Sequence, residues 1–124
     1  MRRSDCPLSC SLEIIGDKWS MLILRDILFF GKISYGDFLA SKEGISTNIL
    51  ANRLKTMVAY GLLNKTVDAT NRQKNIYTPT DKAKEIIPVL TSIGDWGGQH
   101  FDNTIPIPYQ VTQTQSLEES ASPV

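Results

Sequence analysis

The apolar residues of this chain change their period at Gly61, and that change constrains the fold more than any other feature. Upstream, in "GISTNILANRLKTMVAYG", Leu50, Leu54, Met57 and Val58 recur at the 3.6-residue spacing that buries one stripe of a helix. Ser46 is placed to cap the free backbone N–H groups at its start, with Ile45 before the cap facing Leu50 as a hydrophobic staple; Gly61 marks the stop. Downstream, "LLNKTVDA" and "NIYTPT" are short and rich in Val, Ile, Thr and Tyr. Separated by "TNRQK", they predict a β-hairpin with a basic polar tip.

The segments before Gly44 read as helices. Residues 8–15 form a short one ending at Gly16. "DKWSMLILRDILFF" places Trp19, Leu22, Ile23, Ile27 and Phe30 on one face of a core helix closed by Gly31. "ISYGDFLAS" opens a third with a capping box, Ser34 to Asp37, and a staple between Ile33 and Phe38. Two helices joined by about four residues make a helix-turn-helix pattern. After the hairpin, which Pro79 ends, Thr80 caps a long final helix, with Ile86, Ile87, Leu90 and Ile93 on one flank and Val89 and Trp96 on another. Pro88 inside it should bend it or free a carbonyl. Two apolar flanks at the end of a small domain imply that one is buried against a second chain. The expected organisation is one domain over residues 1–101, mainly α with a small hairpin, followed by a loosely attached tail, 102–124, rich in Pro, Gln, Thr, Ser and Glu.

The helix over about 46–60 has an unusual outer face. Thr47, Asn48, Ala51, Asn52 and Lys55 are short or neutral for the most part, where a merely solvated helix would carry more ion pairs. Charge is unevenly placed as well. The chain is neutral overall, yet residues 45–78 hold five basic residues (Arg53, Lys55, Lys65, Arg72, Lys74) against one acid, Asp68. Such a local excess attracts a polyanion even when the whole chain carries no net charge.

Other classes find little support. The longest apolar run is cut by Arg25 and Asp26 and is far short of the roughly 20 residues that span a bilayer. No apolar segment follows Arg2 and Arg3, so a cytoplasmic protein without membrane partner is expected. Cys6 and Cys10 make no disulfide framework and cannot alone close a zinc site. His100 has no nucleophile or ligand at a telling spacing, and no Gly-rich phosphate loop occurs. Neither an enzyme nor a cofactor is expected.

"CPLSCSLEIIGDKWSMLILRDI", "SYGDFLA", "GISTNILANRLKTMVAYGLL" and "IIPVLTSIGDWG", in this order over residues 6–101, resemble the HxlR-type transcriptional regulators of bacteria, which are winged helix-turn-helix proteins similar to the MarR type. The hairpin departs from that family's pattern: Ile76-Tyr77-Thr78-Pro79-Thr80 and Ala83 stand where Glu-Tyr-x-Leu-Thr and Gly are usual, and "TNRQK" lacks a common proline.

The resemblance implies a homodimer on a roughly palindromic DNA operator, with recognition helices about 34 Å apart. Asn48 and Asn52, one turn apart, would each pair with adenine; Thr47 would meet a thymine methyl or a phosphate, Ala51 would let the helix sit deep, and Lys55 would reach a phosphate or guanine. Arg72 and Lys74 on the wing, about 69–75, would touch backbone or minor groove, and the helix ends capped by Ser34 and Ser46 would face phosphates. Arg53, off the reading face, is either an ion-pair residue or a phosphate contact. Leu12, Ile15, Leu90, Ile93 and Trp96 are the expected dimer contacts. In some relatives a cysteine before proline senses oxidants; Cys6 is such a thiol or an inert one near the dimer contact. The effector, if any, is not legible. The rival reading is a winged helix that binds proteins and no DNA.

Overall fold

A computed structural model of the chain describes residues 3–106. Six helices and one hairpin follow in order: α1 Pro7–Ile15, α2 Lys18–Phe30, α3 Tyr35–Leu39, α4 Thr47–Ala59, β1 Leu63–Val67, β2 Asn75–Pro79, α5 Asp81–Lys84 and α6 Ile87–His100. This is a mainly helical winged helix-turn-helix. Residues 107–124, most of the expected tail, lie outside the described residues.

Local chemistry sets the helix starts. Asp17 caps α2, accepting from Trp19 N at 3.1 Å and Ser20 N at 2.9 Å. The Ser34 box is complete in both directions, with Asp37 N on Ser34 Oγ at 3.3 Å and Ser34 N on Asp37 Oδ2 at 3.2 Å. Ser46 Oγ takes the N–H of Ile49 at 3.2 Å, and Thr80 Oγ1 that of Ala83 at 3.2 Å. Gly44 (φ 72°) and Gly61 (φ 78°) bracket α4 in the left-handed conformation that glycine adopts without a Cβ penalty.

The core sits around α2. Ile23, Leu24, Ile27, Leu28 and Phe29 meet Phe38 of α3, Leu50, Leu54 and Met57 of α4, Leu62, Leu63 and Tyr77 of the hairpin, Ala83 and Leu90. Ile45 and Leu50 are both buried, as a staple requires. Trp19 packs at the edge of this core. Phe30, expected inside, is instead 43% exposed and lies under the Arg25 guanidinium at 5.5 Å, because α2 has neighbours on several sides and buries Leu24, Leu28 and Phe29 in its place. Ile33, expected to staple onto Phe38, is 39% exposed; its carbonyl accepts from Tyr77 N at 2.8 Å.

The hairpin is antiparallel, Leu63 opposite Pro79 through Val67 opposite Asn75, and a bridge between Ser34 and Ile76 joins it to the start of α3. The expected long final helix is divided. Pro88 stands at the second position of a new helix, α6, after α5 closes at Glu85, because a proline ring removes the N–H that would continue the ladder and disfavours helical backbone before it.

Candidate nucleic-acid interface

The outer face of α4 is free. Thr47, Asn48, Ala51, Asn52 and Lys55 are all exposed, while Leu50, Leu54 and Met57 on the opposite side are covered. Polar ties hold the helix to its neighbours: Tyr35 Oη donates to the Thr47 carbonyl at 2.7 Å, and Lys82 Nζ donates to the Tyr60 carbonyl at 2.8 Å, where a cation suits a helix C-terminus. The wing tip is shaped by its own polar groups. Thr70 N donates to Asp68 Oδ1 at 2.9 Å, Gln73 N to Asn71 Oδ1 at 3.1 Å, and Asp68 N to the Lys74 carbonyl at 2.8 Å, leaving Arg72 and Lys74 exposed. Between the tip and α3 runs an open groove of about 520 Å³ lined by Tyr35, Gly36, Asn71, Gln73, Lys74 and Asn75 with Ser34 at its floor. These amides and Tyr35 sit in stretches that read as a helix start and a basic tip. Their convergence depends on the bridge between α3 and β2, which no local pattern reveals.

Ser34 forms the expected cap beneath the groove: it is 6% exposed, and both its hydroxyl and its N–H serve the capping box. One expectation is corrected. Leu90 is 7% exposed and belongs to the chain's own core, which removes it from a set of free dimer contacts; Leu12, Ile93 and Trp96 stay more than half exposed, and Ile15 is half-buried. Arg53 proves to be an ion-pair residue, its Nη1 3.2 Å from Asp17 Oδ1.

A second charge cluster, cued in the sequence by Arg25 and Asp26 inside an apolar run, anchors the turn before α4. Arg25 grips Glu43 through two bonds of 2.8 and 2.9 Å and Asp26 at 2.8 Å, while Asp26, 2% exposed, also accepts from Ser41 Oγ. The Arg25 hydrogen bonds hold the Glu43 carboxyl at about 2, below its ordinary 4.5. A lowered carboxyl contributes stability that is present above its unfolded value and is lost as pH falls through the folded one. Wild type therefore loses stability between about pH 4.5 and about 2 in a step that Glu43→Gln lacks. With a side chain 36% exposed, solvent screening reduces the step to about 1 kcal/mol; urea titrations across this window measure it, and parallel curves for both proteins would refute it.

Cys6 is exposed at the head of α1, its N–H on Ser4 Oγ at 3.2 Å, and Cys10 Sγ lies 3.5 Å from the Ser4 carbonyl; Arg2 lies outside the described residues. Among the described residues no helix is long and apolar enough to cross a membrane.

Residues 14–105 match the family model described as HxlR-like helix-turn-helix. The chain belongs to the HxlR-like family of helix-turn-helix transcriptional regulators. It is 33% identical over 95 residues to an uncharacterised helix-turn-helix-type transcriptional regulator of Synechocystis sp., an alignment covering 73% of this chain and 70% of the relative. Against similar regulators of Mycobacterium tuberculosis it spans 56% of the relative's length. Among solved structures it is similar to PA1607, described as a transcription factor, with a TM-score of 0.73 and 33% identity over 87% of this chain and 83% of that one. The oxidised redox regulator HypR shares the fold at a TM-score of 0.68 and 21% identity, covering 78% of this chain and 99% of that one.

Proposed function

We propose that the chain works in the cytoplasm as a homodimer that binds double-stranded DNA at a roughly palindromic operator. The domain over residues 1–101 carries this activity. α4 enters the major groove with Thr47, Asn48, Ala51, Asn52 and Lys55 toward the bases, Ser46 closes its phosphate-facing end, and Arg72 and Lys74 lie on backbone or minor groove. The observation that carries this reading is the exposed face of α4: no acid interrupts it, and Tyr35, which bonds its Thr47 carbonyl, lines a groove that leads to the basic wing. Phosphate contacts supply affinity and base contacts selectivity. The partner protomer is met through Leu12, Ile15, Ile93 and Trp96.

Fluorescence anisotropy with the DNA flanking the protein's own gene, against a shuffled duplex, tests the proposal. Binding that prefers the native duplex should weaken by about 10³-fold between 50 and 200 mM salt for six or more phosphate contacts. A salt-insensitive interaction with no duplex preference would favour a protein-binding module.

Thiol response through Cys6 is part of the proposal, since the thiol is exposed at the head of α1, a helix whose Leu8 and Leu12 are uncovered. Diamide should weaken operator binding of the wild type and leave Cys6→Ser unaffected; equal loss in both would remove this element.

A further inference from the structure

Asn48 and Asn52 look equivalent in the sequence, but the structure treats their carboxamides differently. No described residue engages the Asn48 side chain. Asn52 Oδ1 accepts two N–H groups from Arg53, one from Nε at 3.0 Å and one from Nη2. An amide oxygen has two lone pairs, and both are thereby used. The opposite amide orientation would set N–H against N–H, since a guanidinium offers donors only, so the chemistry itself fixes which end of Asn52 faces Arg53. The guanidinium is anchored in turn. Its Nη1 donates to Asp17 Oδ1 at 3.2 Å, and Asp17 is the cap of the central helix, held by Trp19 N, Ser20 N and Ser20 Oγ. Arg53 therefore bridges the scaffold and the exposed face of α4, with its side chain 26% exposed.

We propose that Arg53 determines the base choice of Asn52, making it a donor-only reader that selects the acceptor edge of guanine. Adenine shows the major groove one acceptor, N7, and one donor, the N6 amino group; an asparagine pairs with it by donating to the first and accepting from the second. With its oxygen occupied, Asn52 leaves the adenine N6–H without an acceptor, a buried donor that costs binding. Guanine shows two acceptors, N7 and O6, and the Asn52 amino group satisfies them with hydrogens no described residue accepts. Asn48, whose oxygen is free, keeps the adenine preference. The two asparagines thus read different bases.

This inference rests on the DNA-binding reading, and selection from a randomised duplex library separates the two. Asn52→Ala first locates the base pair that Asn52 reads, as the one position whose preference relaxes. At that position the wild type should favour guanine over adenine by about tenfold, and Arg53→Met should move the ratio about tenfold toward adenine while the Asn48 position stays unchanged. Arg53→Lys retains a charge for Asp17 but cannot place two N–H groups on one oxygen; it should shift the preference in the same direction and covers the case in which Arg53→Met does not fold. A wild type that selects adenine there, or an Arg53 variant that loses affinity uniformly with its base preference intact, would overturn the assignment and leave Arg53 a structural residue. A wild-type protein that enriches no sequence would overturn the operator reading together with it.

Discussion

Trp96→Asp is expected to sediment as a monomer and to lose about 10³-fold in operator affinity. Trp96 is 59% exposed on α6, tilted against His100 at 4.7 Å between ring centroids and edge-on to Phe101 at 6.1 Å, so its ring has neighbours yet is largely uncovered. Ile93 on the same helix and Leu8 and Leu12 on α1 are equally uncovered, at 54–66% exposure. Under the proposed function these uncovered side chains are where a second copy would pack. Placing a carboxylate at this position would put an unpaired charge in the proposed interface, which costs more than the contacts it replaces. Separated protomers then bind half-sites one at a time and forfeit the effective concentration that a dimer gains, typically a factor of 10²–10⁴. Sedimentation velocity and anisotropy on the same sample test both parts, and an unchanged far-UV circular dichroism spectrum shows that the protomer fold survives. A variant that remains dimeric would place the contact elsewhere.

The second large effect is on stability. Leu54→Ala should lower the unfolding free energy by about 3 kcal/mol, since Leu54 is 1% exposed and meets the core from the inner face of α4, where little can collapse into the space. For a domain of about 100 residues that corresponds to a fall of roughly 15 °C in melting temperature. Phe30→Ala, larger in atoms removed but at a 43% exposed site, should cost less than about 1.5 kcal/mol. Urea denaturation of the pair decides the matter: equal losses would mean that Phe30 is covered in solution.

What the sequence disclosed was whatever adjacent residues decide. The caps at Ser34, Ser46 and Thr80 were legible because a hydroxyl and the N–H it accepts lie three positions apart, and the ends of α4 because glycine alone takes its backbone angles cheaply. The hairpin was legible in the change of period after Gly61 and in the Val, Ile, Thr and Tyr content of its two strands. Helical periodicity failed where burial is not one-sided: it chose Phe30 over Phe29 and missed Leu24, since α2 has neighbours around most of its circumference. It also took Leu90 for a free residue, because a stripe pattern cannot say whether the surface that covers it belongs to the same chain. Arg53 lies 36 residues from Asp17, and the outcome for its two readings depended on how α2 and α4 cross.

The bond from Tyr77 N to the Ile33 carbonyl, with the Ser34–Ile76 bridge beside it, welds the base of the wing to the first helix of the helix-turn-helix pair. The wing base is therefore joined by backbone contacts to the segment that leads into α3 in the chain by itself. Under the proposed function, operator binding would require no disorder-to-order transition there. Its heat-capacity change should track the apolar area hidden between two preformed surfaces, without the further contribution that accompanies a segment folding onto DNA.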